Sequence, residues 1–275
     1  AGIQDDIYQL VRDKKWTMDK FTEMIKLAAK EVSGNSEFHY SEGDILGWVR
    51  TGHATHGLHV ASGLSIIGND NGTFVLEVTD NAAAWNDVIN KAIEVWSIEE
   101  AETLGYTDVQ NAVSGGKTLF GSEVLDVLER MKDVEGLSVG ILPYPLYSET
   151  QENYAHYVDN HVYCYCVPTS VPHIETLGEF LELFGYHSKY LVRTAWIDTY
   201  SYEYCNDIDS AEMLEIILDT RTYDPGYLYW AGYEGDFSNF ISSGKNNVTK
   251  WADRNETVVA DAIQQFIDTI SKNEA

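Results

Sequence analysis

Stretches in which apolar residues recur at helical spacing alternate along this chain with short strand-like runs. The clearest helical stretch covers residues 84–96, and its apolar side chains fall on one continuous stripe. The members of this stripe are Ala84, Trp85, Val88, Ile89, Ala92, Ile93 and Trp96. A second stripe follows Thr17, a predicted N-cap, with Trp16 placed to pack on Phe21. Because helical and strand patterns are interspersed, the sequence predicts an α/β or α+β fold.

Other elements follow from turn residues and shorter patterns. Asn71-Gly72 is a dipeptide that favours a tight β-hairpin turn, so residues 65–78 are predicted to form a hairpin. Ser122 is predicted to cap a helix that runs to residue 131. The remaining predictions are strands at 137–142 and 162–167 and helices at 174–184, 210–218 and 259–270.

The charge balance excludes two classes of partner. The 275 residues contain 18 Lys and Arg against 44 Asp and Glu, a formal net charge of -26. Such a field repels nucleic-acid phosphates and anionic lipid surfaces, so neither partner is expected. No apolar run approaches the roughly 20 residues that a membrane-spanning helix requires. The length predicts about two domains, or one large one, at roughly 150 residues per domain.

The three cysteines, Cys164, Cys166 and Cys205, fit neither a disulfide framework nor a zinc site. Cys164 and Cys166 share one face of a predicted strand and are poorly placed to bond to each other. We expect three free thiols, with a bridge from one of the first two to Cys205 as the alternative.

Three histidines recur at positions i, i+3 and i+6, namely His53, His56 and His59. Pairs at this spacing on a helix can ligate a metal ion. Gly52 and Gly57 interrupt the segment, however, and no cysteine or close carboxylate completes a set of ligands. No metal is therefore predicted, and a polar segment that faces the surface or a cleft is the preferred interpretation.

Aromatic residues are numerous, with 18 Tyr, 7 Trp and 9 Phe. Many fall in segments predicted as loops or turns, where side chains are disproportionately functional. Tyr and Trp combine a flat apolar face with a polar tip, which suits the C–H faces and hydroxyls of sugars. The alternative is that these rings only seal packed loops. The aromatic residues of the predicted loops are Trp48, Tyr144, Tyr147, Tyr154, Tyr157, Tyr227, Tyr229, Trp230 and Tyr233.

Four short motifs occur in the order expected for a known family. Residues 141–145 read Ile-Leu-Pro-Tyr-Pro, and residues 151–154 read Gln-Glu-Asn-Tyr. Residues 15–17 read Lys-Trp-Thr at a predicted helix start, and residues 223–227 read Tyr-Asp-Pro-Gly-Tyr. From about residue 8 to its C-terminus the chain resembles the extracellular solute-binding proteins of bacterial ABC importers, the larger sugar-binding kind.

The resemblance implies a periplasmic-binding-protein-like (type II) α/β fold, with two lobes joined by crossing strands and the ligand held in the cleft. Residues 1–160 and 206–275 correspond to the second, C-terminal lobe, with a mixed sheet and surrounding helices. Residues 161–205 correspond to the crossing strands and a returning piece of an incomplete first lobe. The apolar helix face within residues 169–200 is therefore expected to be exposed, repacked or buried in an oligomer.

The implied function is that of a solute-binding component of an ABC transporter, which breaks no bond and requires no cofactor. Such a protein binds a saccharide or related small solute and delivers it to permease subunits in the membrane. Hinge closure about the crossing strands would follow from the higher affinity of the ligand for the closed state. The implied location is extracellular or at the cell surface, with a signal sequence and a lipid anchor upstream of residue 1.

Ligand contacts are expected from loop aromatics, from the histidine segment and from a predicted helix start whose free N–H groups face the ligand. The candidate residues are Trp48, His53, His56, Ser122, Glu123, Tyr154, Tyr227 and Trp230. Two other functions stay open. A secreted glycan hydrolase needs two facing carboxylates in a pocket with a raised pKa. A non-catalytic carbohydrate-binding module needs an aromatic platform on a flat face.

Overall fold

The computed structural model describes residues 3–71, 73–159, 165–205, 207–229 and 231–273. Its fold is mixed α/β, as the interspersed patterns predicted. The helices are α1 Ile7–Arg12, α2 Met18–Ala28, α3 Ala54–Val60, α4 Glu77–Asp80, α5 Ala82–Trp96, α6 Tyr106–Ser114, α7 Val127–Met131, α8 Ile174–His187, α9 Arg193–Asp198, α10 Asp209–Asp219, α11 Pro225–Tyr229, α12 Ala231–Ser242 and α13 Val248–Asn273. The strands are β1 Leu46–Arg50, β2 Ile67–Asp70, β3 Thr73–Leu76, β4 Ala101–Thr103, β5 Thr118–Ser122, β6 His156–Tyr157 and β7 Arg221–Thr222. Within these ranges no helix has both the length and the apolar character needed to cross a bilayer.

The chain divides into two compact units and passes from one to the other four times. The first unit comprises Ala1–Glu123, Tyr144–Asn160 and Thr220–Ala275, and the second comprises Val124–Pro143 and His161–Asp219. The sequence placed only residues 161–205 outside the main lobe, whereas the second unit also includes 124–143 and extends to Asp219. The assignment of these units to the lobes of a binding protein stays a prediction.

A three-stranded parallel sheet with the order β4-β1-β5 forms part of the first unit. The central strand, β1, is buried along its whole length, and its Leu46 and Val49 belong to a cluster with α6. Helix α2 packs directly on β1. A Cβ atom at Gly47 would lie 2.1 Å from the carbonyl oxygen of Ile25, so a glycine is required where the helix approaches the strand.

The start of α2 confirms the predicted cap. The hydroxyl of Thr17 accepts a hydrogen bond from the backbone N–H of Lys20 at 3.3 Å. The rings of Trp16 and Phe21 lie 5.7 Å apart in an edge-to-face contact, which is the predicted hydrophobic staple. Phe21 also contacts the ring of Trp48 at 5.1 Å, so the cap region is tied to the central strand.

Two further predictions in the first unit are confirmed. Strands β2 and β3 pair antiparallel with Ile67 opposite Leu76, as expected for the hairpin, although Gly72 lies outside the described residues. The apolar stripe predicted at 84–96 lies on α5, which packs against α3, α12 and α13. The ring of Trp85 on α5 lies 4.7 Å from that of Phe237 on α12.

In the second unit several local predictions are wrong. The helix expected after Ser122 begins only at Val127, because Asp126 and not Ser122 precedes its first turn. Residues 137–142 form no strand: Val139 donates one backbone hydrogen bond to Cys205, and no ladder follows. Of the strand predicted at 162–167, residues 165–167 have no regular structure and the rest lie outside the described residues.

Helix α8 is present as predicted, yet its apolar side chains are exposed. None of its residues is buried. Ile174, Phe180, Leu183 and Phe184 are each at least 43% exposed, which is one of the outcomes expected for this segment.

Two of the three cysteines fall in the described part of the chain, and both are free thiols. Cys166 is exposed, whereas burial raises the pKa of the Cys205 thiol to about 12. The bridge to Cys205 considered from the sequence is therefore not formed. Cys164 lies outside the described residues.

Candidate functional site

The carboxyl ends of the parallel strands bring polar side chains together. β1 ends at Arg50, which lies in register with Thr103 of β4 on one side and with Ser122 of β5 on the other. In open α/β sheets, ligands bind outside the carboxyl ends of the strands. Tyr144 joins this end, since its hydroxyl interacts electrostatically with Arg50 and Glu123. We name the group Arg50, Thr51, Ser122, Glu123 and Tyr144 the strand-end site.

Arg50 is the most unusual residue of the strand-end site, since its charged side chain is only 3% exposed. Its guanidinium lies between two indole rings, 4.3 Å from the centroid of Trp48 and 4.0 Å from that of Trp96. Its Nη2 donates a hydrogen bond to the Trp96 carbonyl oxygen at 2.6 Å. Burial lowers the pKa of Arg50 to about 10, so the side chain keeps its charge at neutral pH.

Most donors of this guanidinium have no acceptor. Nε and Nη1 are buried and make no hydrogen bond with any described residue. The hydroxyl of Thr51, the next residue along the chain, is buried and equally unmatched within the described part of the protein. Two consecutive residues at the end of the central strand therefore hold buried polar groups that have no partner among the described residues.

The other members of the strand-end site are half-buried, so this end of the sheet reaches the surface of the unit. The Ser122 hydroxyl accepts a hydrogen bond from Trp48 Nε1 at 2.9 Å. Burial raises the pKa of Tyr144 to about 12, which keeps its hydroxyl protonated and able to donate. The Tyr144 ring lies against α3, where a Cβ at Gly57 would be 2.1 Å from Cζ.

Helix α3 adds a row of stacked rings beside Tyr144. His56 stacks on Tyr157 with ring centroids 5.1 Å apart. His59 stacks on Tyr227 at 5.9 Å, and its Nε2 is 2.5 Å from the Tyr227 hydroxyl. The rings of Tyr157 and Tyr227 meet edge-to-face at 5.6 Å. His53 is exposed at the start of the row.

The buried histidines of this row are neutral at pH 7. Burial, followed by repulsion from a neighbouring histidine, lowers the pKa of His56 to about 4 and that of His59 to about 3. Among the described residues, no group of three His, Cys, Asp or Glu side chains is arranged to hold a metal ion.

The structure brings some of the sequence-predicted site residues together and separates others. Ser122 and Glu123 lie at the strand ends beside Arg50, although at the end of β5 and not at the predicted helix start. His53 and His56 lie on the helix that packs on Tyr144. Trp48 was predicted in a loop, but it is a fully buried residue of β1 that contacts Arg50 from within the core.

The remaining candidates have other surroundings. The Tyr154 hydroxyl is buried and donates a hydrogen bond to the Val11 carbonyl at 3.1 Å, which is a structural tie. Tyr227 was also predicted in a loop, but it is a buried residue of α11. Trp230 lies outside the described residues.

Arg50 and Thr51 were missed from the sequence because residues 38–61 were not assigned to any element. A usable signal was present: a short apolar run, Ile45 to Val49, followed directly by an arginine. Runs of this kind are typical of strands buried on both faces, and a charged residue at their carboxyl end lies where ligands bind.

One buried carboxylate bears on the hydrolase alternative. Burial raises the pKa of Asp224, although backbone N–H groups favour its charged form. Its two oxygens accept hydrogen bonds from the N–H groups of Ile66, Ile67 and Gly226. Asp224 therefore clamps two segments of the first unit together, and this role accounts for its position.

A concavity of about 550 Å³ lies wholly within the second unit. Its lining is mostly aliphatic and aromatic, and the rings of Trp196 and Tyr200 stack on one another at 4.1 Å. Glu129 is the charged residue of this lining. This groove has no buried cation, so the strand-end site offers more specific chemistry.

No family model and no curated protein matches this sequence.

Proposed function

We propose that this chain is a solute-binding component of an ABC importer that binds a saccharide or related small solute and passes it unchanged to a membrane permease. The observation that carries the proposal is the strand-end site, where buried hydrogen-bond donors lie among aromatic rings at the carboxyl ends of parallel strands. Small-molecule sites combine apolar and aromatic walls with a few well-placed polar groups in this way.

Two of the motifs that carry the family resemblance contribute to this site or support it. Tyr144 of the Ile-Leu-Pro-Tyr-Pro motif is part of it. Gln151 of the Gln-Glu-Asn-Tyr motif donates to the Ala61 carbonyl at 2.7 Å and accepts from the Tyr147 N–H at 2.8 Å. Gln151 thus holds the segment after Tyr144 against the end of α3. These contacts give the motifs a physical role in shaping the site.

The finer parts of the proposal extend beyond the site. We propose the type II binding-protein fold, which the repeated passage of the chain between two units supports. We also propose an extracellular or cell-surface location, with permease subunits as the protein partners.

Calorimetric titration of the purified chain with D-glucose, D-galactose, maltose and their acidic derivatives tests the proposal, with Trp fluorescence as a second readout. Trp48 and Trp96 flank Arg50, so a bound solute is expected to change their emission. Saturable binding with the sugar recovered unchanged supports the proposal. Absence of binding to every solute, or release of hydrolysis products from a glycan, would overturn it.

A matched pair of variants locates the binding. Tyr144→Phe removes a hydroxyl from the strand-end site and is expected to weaken binding about 10-fold, the usual effect of one lost hydrogen bond. Tyr154→Phe removes a hydroxyl that is already bonded to Val11, so it is expected to lower stability without changing affinity. Equal effects of the two variants on affinity would place the ligand elsewhere.

A further inference from the structure

The strand-end site holds the buried charge of Arg50, which forms no ion pair with a described carboxylate, although the Glu123 carboxylate belongs to the same site. A guanidinium carries five N–H donors, of which Nε holds one and Nη1 two. Among the described residues, the donors on Nε and Nη1 are buried without an acceptor, and Nη2 donates to a carbonyl oxygen. No carboxylate of a described residue forms an ion pair with Arg50.

This arrangement is costly for the folded chain. Buried donors without acceptors destabilise a protein, and a buried charge without a counter-charge does so more strongly. The sequence has 44 acidic residues from which a partner could have come. The two flanking indole rings stabilise the cation only in part. A cation kept in such a place indicates a function that needs it unpaired until something binds.

We propose that the solute carries a carboxylate group, and that Arg50 is the residue that binds it. The inference rests on the solute-binding function proposed above and narrows the ligand to an acidic sugar, such as a uronic acid. The unmatched hydroxyl of Thr51 provides a further donor at the same strand end. The remaining sugar hydroxyls would face Ser122, Glu123 and Tyr144, which are half-buried there.

A carboxylate fits this site better than a phosphate group does. A carboxylate has one charge, which a single guanidinium balances with paired hydrogen bonds. A phosphate monoester carries nearly two charges at pH 7. The site supplies one cation and already contains the Glu123 carboxylate, and the net charge of -26 further disfavours a doubly charged group. The Arg50 guanidinium stays charged at neutral pH, because burial lowers its pKa only to about 10.

Ligand pairs that differ only in charge test the inference on the unmodified chain. The probes for calorimetry are D-glucuronate, its methyl ester, D-glucose and glucose 6-phosphate. We expect glucuronate to bind at least about 100-fold more tightly than its methyl ester or glucose, since two charge-assisted hydrogen bonds are lost with the charge. Glucose 6-phosphate is expected to bind more weakly than glucuronate.

Two variants assign the charge effect to Arg50. Arg50→Met keeps an apolar stem between the two indoles and is expected to reduce glucuronate binding to the level of glucose. Because it removes an unpaired buried charge, its thermal unfolding midpoint without ligand is expected to equal or exceed that of the parent chain. Arg50→Lys keeps the charge but not the planar fork, so an intermediate affinity is expected.

The outcomes separate this inference from the function on which it rests. If glucose and the methyl ester bind as tightly as glucuronate, the chain is still a solute-binding protein and the carboxylate assignment is wrong. Tighter binding of glucose 6-phosphate would replace the carboxylate by a phosphate group. If none of the four probes binds, this inference fails, and the proposed function fails with it only when D-galactose and maltose do not bind either. Cleavage of a sugar overturns both. A glucuronate preference that survives in Arg50→Met would mean that another residue binds the acid.

Discussion

Helices α5 and α8 have similar lengths and both carry the apolar spacing of an amphipathic helix, yet only one of them is packed. α5 buries Trp85, Val88, Ile89, Ala92 and Val95. α8 buries none of its residues and exposes five large apolar side chains. The difference shows that an apolar stripe predicts an amphipathic helix. Whether its apolar face is buried depends on elements elsewhere in the chain that pack against it. For α5 those partners are α3, α12 and α13.

The largest expected difference between the two units appears in acid. His56, His59 and His156 are buried in the first unit, and burial lowers their pKa values to about 4, 3 and 4. The unfolded chain, with histidine pKa values near 6.5, therefore binds more protons below that pH. Stability is complete above about pH 6.5 and is lost as the pH falls towards 4. Each histidine is expected to remove about 1.4 kcal/mol of unfolding free energy per pH unit.

Hydrogen exchange followed by mass spectrometry at pH values from 4.5 to 7.5, corrected for intrinsic rates, resolves the two units. Protection of the α5 amides from exchange is expected to decrease as the pH is lowered, whereas protection of the α8 amides stays constant. His156→Gln should reduce the slope, and His187→Gln, an exposed substitution on α8, should not. An equal loss of protection in both helices would show that the histidines do not explain acid sensitivity.

The next largest effect concerns the aromatic contact that covers α5. Trp85 is fully buried, with its ring 4.7 Å from Phe237. Trp85→Ala is expected to lower the unfolding free energy by about 3–5 kcal/mol, through lost burial and the cavity left behind. Phe184→Ala removes one exposed ring from α8 and is expected to lower the unfolding free energy by less than about 0.5 kcal/mol. Urea unfolding of both variants measures the two losses of unfolding free energy. Equal losses would contradict the difference in packing between α5 and α8.

A smaller effect is expected from the carboxylate that clamps two segments of the first unit. Asp224→Asn places an amide where the N–H groups of Ile66, Ile67 and Gly226 now point. The expected loss of unfolding free energy is about 2 kcal/mol, since hydrogen bonds to a charged acceptor are replaced and one donor is left unmatched. Asp268→Asn on the exposed side of α13 is the matched control, with no measurable change expected. If Asp224→Asn unfolds with the same free energy as the parent chain, the hydrogen bonds of Asp224 do not stabilise the first unit.

The smallest effect sharpens the comparison at α8 itself. Leu183→Lys replaces an exposed apolar residue by a good helix former, so the unfolding free energy is expected to change by less than about 0.5 kcal/mol. Urea unfolding and size-exclusion chromatography at several protein concentrations are the measurements. A loss above about 2 kcal/mol, or a change in apparent size, would show that this helix face is covered in solution.

The features that were predictable from the sequence are those set by neighbours in the chain. The Thr17 cap and the Trp16–Phe21 contact depend on residues within one helical turn, and both predictions hold. Strand β1 was not predicted because its signal, a short apolar run without alternation, is shared by strands and buried helix segments, and its pairing partners lie more than 50 residues away.

The candidate site was predictable only in part for the same reason. Ser122 and Glu123 were identified, but for a helix start that does not exist at that position. Arg50 reads as a surface residue in the sequence, because nothing nearby signals that Trp96 will cover its guanidinium. Burial of a charge is a property of the assembled fold, so local patterns give no warning of it.

The division of the first unit among three separate stretches of chain sets the order in which the protein is completed during synthesis. α5 ends at residue 96 and α12, which covers it, begins at residue 231, so the ribosome adds more than 130 residues between the two. At translation rates of about 5–20 residues per second, α12 is synthesised roughly 7 to 30 s after Trp85 and its neighbours on α5. All of the second unit emerges in that interval. The first unit is thus completed after the second, and the α5 face that carries Trp85 stays uncovered by α12 until then.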